Sequence, residues 1–210
     1  MPDATSAMLQ AKPVVLASAS RTRRDLLTAA GLDVEAVASG LDERAVIEAV
    51  AADRDPLRPA DVAAILAEAK AQTVSEQKSG MIVIGADQTL ELDGKLFTKP
   101  DTVEVARRNL LALRGKTHLL HSAVALVRDG ETLWSLTETA ALTMRDFSPE
   151  FLGRYSAAAG DAILDSVGCY QLEGLGIQLF DKIDSDWFTI LGLPMLPLLA
   201  KLRDLGVVET

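Results

Sequence analysis

One cysteine in 210 residues, Cys169, leaves the chain without an internal disulfide and without the thiolates of a zinc site. Two histidines are present, His118 and His121. They stand three positions apart on a segment that reads as a strand, so they face opposite sides of a sheet and cannot chelate one metal. No apolar run approaches the ~20 residues of a membrane span. The opening residues, MPDATSAMLQ, have neither the basic start nor the apolar stretch of a signal peptide, and a cytoplasmic protein is expected. Basic residues are in the minority, 21 Lys plus Arg against 30 Asp plus Glu, so most of the surface repels polyanions. A nucleic-acid polymer and an anionic membrane are therefore not expected partners, and any bound phosphate must meet a local basic pocket. Two nucleotide-binding signatures are missing as well. There is no GxxxxGK[ST] loop, and the glycines of EGLGIQLF lack the strand-to-helix spacing of a dinucleotide fingerprint.

The chain is otherwise ordinary in bulk, with 49% hydrophobic and 24% charged residues. Without a repeat, low-complexity tract or linker, residues 1–210 are expected to form one domain. Short apolar runs alternate with longer amphipathic ones. VVLAS at 14–18 reads as a strand, a helical pattern runs from Ser20 to Ala30 and another from Pro59 to Gln77, and MIVIG at 81–85 reads as a second strand. This is α/β order. From Lys116, two alternating segments flank Asp129-Gly130, the dipeptide a type I′ turn favours, so the sheet is expected to be mixed. A helix opens after Ser148-Pro149, a strand reads through GIQLFDKID, and a last helix starts near Pro194 and stops at Gly206.

Chemistry concentrates first in LASASRTRRDLL. A turn holding Ser18 and Ser20 leads from a strand into a helix whose start carries Arg21, Arg23 and Arg24. Cations are misplaced at a bare helix N-terminus by roughly 0.3–1 kcal/mol each, because that end already carries partial positive charge. A bound phosphate reverses the sign: free N–H groups, two hydroxyls and guanidinium forks then converge on its oxygens. The plainer reading is that Ser20 or Thr22 caps the helix while the arginines face solvent. Asp87 follows a continuous apolar strand that runs out through Gly85, and in open α/β sheets ligands gather at the carboxyl ends of strands. A turn-forming aspartate is the alternative. Lys70 lies about 80° from the centre of a helical stripe formed by Val62, Ile65, Leu66, Ala69 and Thr73, where its stem lies along apolar surface and its ammonium reaches a groove or solvent. Lys99, after a hairpin through Asp93-Gly94, and Glu43, at a helix start, are either parts of the same cleft or solvated charges. Cys169 lacks a nearby histidine and reads as packing or cleft lining.

The ordered set LASASRTRRDLL, EAKAQ, IGADQTL, TKP, GKTHLLHSAVAL, VGCYQLEGLG and ILGLP resembles the Maf family over nearly the whole chain. The resemblance implies an elongated α/β fold with a central mixed sheet flanked by helices and a cleft between two lobes, similar to inosine triphosphate pyrophosphatases. It also implies hydrolysis of a nucleoside triphosphate to monophosphate and pyrophosphate with a divalent metal, Mg²⁺ or Mn²⁺, and suggests a homodimer. On this resemblance Ser18 and Arg23, with Ser20 and Arg24 beside them, hold phosphate. Lys70 and Lys99 neutralise the triphosphate, Asp87 is the catalytic carboxylate, and Glu43 joins it at the metal.

Departures from the family pattern inform the substrate. Arg21 and Thr22 stand before Arg23 and Arg24 where many members have a proline and three arginines. Gln88 replaces the commoner Thr and Glu173 a commoner Gln, a combination that resembles the branch acting on 7-methyl-GTP. A carboxylate at 173 accepts from both N1–H and the 2-amino group of guanine, and favours a cationic methylated base. The alternatives are a dTTP/UTP-type pyrophosphatase and a nucleotide-binding regulator of septum formation that needs no turnover.

Overall fold

The computed structural model describes residues 10–51 and 57–209; the opening residues 1–9, read above for a signal peptide, lie outside them. Its backbone is one long mixed sheet. The elements run β1 (Val14–Ala17), α1 (Arg21–Ala29), β2 (Val34–Ala36), α2 (Glu43–Ala51), α3 (Pro59–Ser75), β3 (Ile82–Leu92), β4 (Lys95–Phe97) and α4 (Val103–Leu113). Next come β5 (Thr117–Arg128), β6 (Glu131–Met144), α5 (Pro149–Ala159), β7 (Phe180–Asp184), α6 (Trp187–Ile190) and α7 (Met195–Asp204). The strand order is β2-β1-β3-β5-β6-β7, with β4 added to β3. β1 is parallel to β2 and β3, and the remaining ladders are antiparallel.

Local chemistry explains most boundaries. Ser20, Thr102 and Ser148 each cap a helix by accepting from the N–H three residues on, at Arg23, Val105 and Phe151, satisfying donors that the first turn leaves free. Both expected hairpin turns have positive φ at their two central residues: 51° and 79° at Asp129-Gly130, 53° and 77° at Asp93-Gly94.

Three expectations are corrected. The strand expected to end beyond Gly85 continues to Leu92, because Ala86–Glu91 pair onward with β5, so Asp87 sits mid-strand. The strand expected through GIQLFDKID begins only at Phe180. Ahead of it, Leu175–Leu179 forms a 3₁₀ turn, tied down where the Gly174 and Gly176 N–H groups both donate to the Gln171 carbonyl. The buried face of α3 is also rotated from the expected stripe. Val62, Ala63, Leu66, Ala67, Lys70, Ala71 and Val74 are buried, while Ile65, Ala69 and Thr73 are only half-buried. Small alanines win the core position because they let the helix come close, and Lys70 lies within that face rather than at its edge.

The sheet divides its cover between two ends. Beside β1, the face carrying Ile84 and Ala86 packs on α1 through Leu27, on α7 through Leu198 and Leu202, and on Leu193 in the connection before α7. Farther along, Leu90, Leu120 and Leu142 pack with Leu110, Leu113, Leu152 and Ile163 from α4, α5 and the turn after it. The opposite face receives α3, where Ala71 and Val74 meet Val15 and Val83.

Candidate active site

The cleft between the two ends starts from a gap in the sheet edge. β1 accompanies β3 only as far as Ala17 opposite Gly85, and β4 joins only at Phe97 opposite Leu90. Between them, Ala86–Thr89 have no strand on that side among the described residues. A cavity of about 1320 Å³ opens there, lined by the Ser18–Arg23 turn, the segment 38–43, Lys70, β3, Lys99 and the loop 165–173.

Asp87 projects from β3 toward α3 and is 10% exposed at its side chain; Lys70, 11% exposed, meets it with Nζ 2.6 Å from Oδ1. The same Nζ is 2.6 Å from Oε1 of Glu43, whose side chain is 51% exposed at the start of α2. One ammonium thus bridges two carboxylates. Burial pushes the Asp87 carboxyl above its ordinary range; the Lys70 and Arg23 charges pull it back, and Glu43 adds to the rise. The close approach depends on Gly85, two residues earlier on the same face of β3. A Cβ there would lie 2.0 Å from the Ala67 carbonyl and 2.7 Å from the Ala71 Cβ.

Across the cleft, Ser20 does what the plainer reading expected and caps α1. Ser18 Oγ accepts from the Ser20 N–H at 3.2 Å and from Arg23 Nη1 at 3.4 Å. Arg23 is built into the wall: Nε donates to the Gly192 carbonyl and Nη1 to the Ala86 carbonyl, both at 2.9 Å. Its Nη2 has no hydrogen-bond partner among the described residues. Burial lowers the Arg23 pKa, opposed by Asp87 and Glu43. Arg24 is outside the lining. Successive helical residues diverge by about 100°, and Arg24 points away from Arg23, its Nε 3.8 Å from Asp25. Arg21 and Thr22 are in the lining instead.

Gln88, next along β3, points to the opposite face from Asp87. Its amide nitrogen donates to Ser122 Oγ at 2.8 Å and to the carbonyls of Ile190 at 2.9 Å and Thr189 at 3.4 Å. Ser122, fully buried on β5 opposite Gln88, donates in turn to the Thr189 carbonyl at 2.7 Å. All three partners act as acceptors toward the amide, which fixes its orientation and leaves Oε1 without a hydrogen-bond partner among the described residues. Lys99 and Glu173 are exposed in the lining. Arg21, read above as part of the basic cluster, does line the cleft; sequence reasoning gave no role to Ser122 or to the carbonyls of 189, 190 and 192, which hold the cleft residues Gln88 and Arg23. Ser122 and residues 190–192 lie in the motifs GKTHLLHSAVAL and ILGLP, but a serine inside an apolar strand and backbone carbonyls carry no sign of which side chain they meet.

The sequence model of Maf-like proteins matches residues 13–205. The chain belongs to the Maf family. It is 55% identical over 196 residues to the 7-methyl-GTP pyrophosphatase of Mesorhizobium japonicum, covering 93% of this chain and 98% of that relative. It is likewise 55% identical over 190 residues to the protein of the same description from Brucella abortus, covering 90% and 94%. A nucleoside triphosphate pyrophosphatase of Nitrobacter hamburgensis is 49% identical over 198 residues, covering 94% and 96%. A solved HAM1 protein structure from Coxiella burnetii is similar at TM-score 0.39 and 15% identity, over 64% of this chain and 74% of that one.

Within this Maf-family chain the two histidines stay apart, as expected. His118 Nε2 meets the Tyr170 hydroxyl at 2.7 Å, while His121 lies between Glu91 and Thr139, at 2.9 Å from each. No group of three or more His, Cys, Asp or Glu able to hold a metal occurs among the described residues. The oxygen donors that do converge, Glu43 and Asp87, fit a hard divalent cation that takes one or two carboxylates and completes its shell with water and substrate phosphates. Cys169 is fully buried, and burial pushes its thiol up to about 11, which disfavours the nucleophilic thiolate. No helix among the described residues is long and apolar enough to cross a membrane.

Proposed function

We propose that this chain hydrolyses 7-methyl-GTP between its α and β phosphates, releasing the monophosphate and pyrophosphate. The observation that carries the reading is a buried carboxylate, Asp87, with Lys70 and Glu43 on the wall of a cleft large enough for a nucleotide. Phosphoryl transfer needs charge neutralisation and an oriented water more than covalent chemistry. In this reading Lys70, Lys99 and Nη2 of Arg23 meet the polyphosphate, and the Ser18–Ser20 turn at the start of α1 adds hydroxyl and N–H donors. Asp87 orients the water and takes its proton, a task suited to a carboxyl whose affinity for protons burial has raised. Glu43 and Asp87 would hold Mg²⁺ or Mn²⁺, which supplies further neutralisation of the phosphates and acidifies bound water. At the base end, Glu173 and Oε1 of Gln88 are acceptors, matched to the N1–H and 2-amino donors of guanine. The names of the relatives support the same substrate. A potential base facing an anionic ligand favours turnover over simple binding.

The test is to incubate the protein with Mg²⁺ or Mn²⁺ and 7-methyl-GTP, GTP, UTP or dTTP, and to identify the products. The reading expects 7-methyl-GMP plus pyrophosphate, with kcat/KM at least about tenfold above that for UTP. Orthophosphate release, or equal kcat/KM for UTP, would defeat it. A cytoplasmic homodimer belongs to the same reading; the lone free Cys169 suits a reducing compartment, and light scattering at the 22.4 kDa monomer mass would remove the dimer.

A further inference from the structure

We infer that Lys70 is a resident counterion that keeps a free divalent cation off Glu43 and Asp87 until a triphosphate arrives to receive its ammonium, so that metal and nucleotide bind as one complex. The inference rests on the site proposed above. Lys70 Nζ lies 2.6 Å from an oxygen of each carboxylate, and those are its only hydrogen-bond or ion-pair partners among the described residues. With Lys70 and Asp87 only 11% and 10% exposed at their side chains, water screens this pair poorly, while Glu43, 51% exposed, holds the outer side of the ammonium. A cation arriving alone meets two carboxylates that an ammonium already compensates, with Arg23 adding positive charge to the same field. To take both oxygens it must expel that ammonium, which then has no anionic partner in a largely buried position, an expensive state for a lysine.

A triphosphate changes both terms together. Its oxygens complete the cation's coordination, which two carboxylates cannot fill, and they give Lys70 a new anionic partner. The same lysine that would neutralise the substrate therefore weakens the metal site in its absence. Removing it has an effect no merely supportive role produces: binding of the metal alone improves.

The experiment is a Mn²⁺ titration of the nucleotide-free protein, followed by loss of the free-ion EPR signal. It compares wild type, Lys70→Met, Lys70→Gln and Lys70→Met combined with Glu43→Gln, with melting temperatures recorded for each. Removing the ammonium that lies 2.6 Å from an oxygen of each carboxylate leaves both anions uncompensated, so Lys70→Met and Lys70→Gln are expected to bind Mn²⁺ about tenfold or more tighter than wild type. Adding Glu43→Gln is expected to cancel the gain. Lys70→Gln keeps hydrogen-bond donors to both carboxylates and decides the matter if Lys70→Met does not fold. Wild type is also titrated with an α,β-methylene triphosphate present, where Mn²⁺ binding is expected to strengthen beyond what the nucleotide alone holds. If neither lysine variant binds Mn²⁺ more tightly while the wild-type complex with the analogue does, the counterion role is refuted and the metal site stands. If the analogue brings no added Mn²⁺ either, both fall.

Discussion

Replacing Gly85 by alanine tests whether the spacing of α3 from β3 sets the chemistry. The new Cβ would sit 2.0 Å from the Ala67 carbonyl oxygen and 2.7 Å from the Ala71 Cβ, both belonging to α3, so no side-chain rotation relieves the clash. Restoring even a tight contact of about 3 Å moves the helix away from the strand by about 1 Å. Lys70 follows Ala67 by less than one turn and would ride with it, stretching its 2.6 Å contact with Asp87 to about 3.6 Å, beyond a hydrogen bond. Overpacking of this kind costs about 1–3 kcal/mol, and a misplacement near 1 Å at reacting groups costs about 100-fold in rate. Calorimetry is expected to show Tm lowered by several degrees, and pyrophosphate release at saturating nucleotide a kcat near 1% of wild type. Gly153→Ala, on α5, is the control. Its nearest neighbour is the tip of the Arg107 side chain at 3.5 Å, and wild-type activity is expected. A Gly85→Ala protein with wild-type Tm and kcat would refute the argument that this contact holds the cluster together.

Asp87→Asn at saturating Mn²⁺ is expected to reduce kcat by about 10²–10⁴-fold; retention of most turnover would remove Asp87 as the base. Arg23→Lys keeps the charge but cannot span Gly192, Ala86 and Ser18 together; steady-state assays should show KM for the nucleotide raised about tenfold or more, and an unchanged KM would leave the fork geometry without consequence. Ser122→Ala removes one of the three acceptors for Gln88 and a donor to Thr189; the preference for 7-methyl-GTP over UTP should fall several-fold and return in Ser122→Thr, whereas equal loss for both nucleotides would point to stability alone. His118 is held neutral by burial, its pKa lowered from 6.5 to about 4. Below pH 6.5 the unfolded chain binds a proton that the native state refuses, so stability falls on acidification from about pH 6.5 to 4, by about 3 kcal/mol, and then levels off. Urea unfolding across that range checks the slope, which His118→Gln should flatten.

Much of this protein was legible in one dimension. Hairpin dipeptides, serine caps and the terminal glycine of the last helix act through neighbours a few residues away, so their sequence signals held. The ordered motifs pointed to the family, and Ser18, Glu43, Lys70, Asp87, Gln88, Lys99 and Glu173 all line one cleft. What failed were readings that depend on distant partners. Asp87 read as a strand end because its continuation pairs with β5, more than thirty residues later in the chain. Lys70 read as a half-exposed lysine because periodicity weighs Ile65 above Ala67, whereas contact with Gly85 rewards the smaller side chain. Ser122 and residues 190–192 fall within the motifs GKTHLLHSAVAL and ILGLP, but that they hold Gln88 and Arg23 could not be read from those motifs. Local backbone preference is written in adjacent residues, while the distance between an ammonium and a carboxylate seventeen positions apart is set only when a helix is pressed onto a sheet.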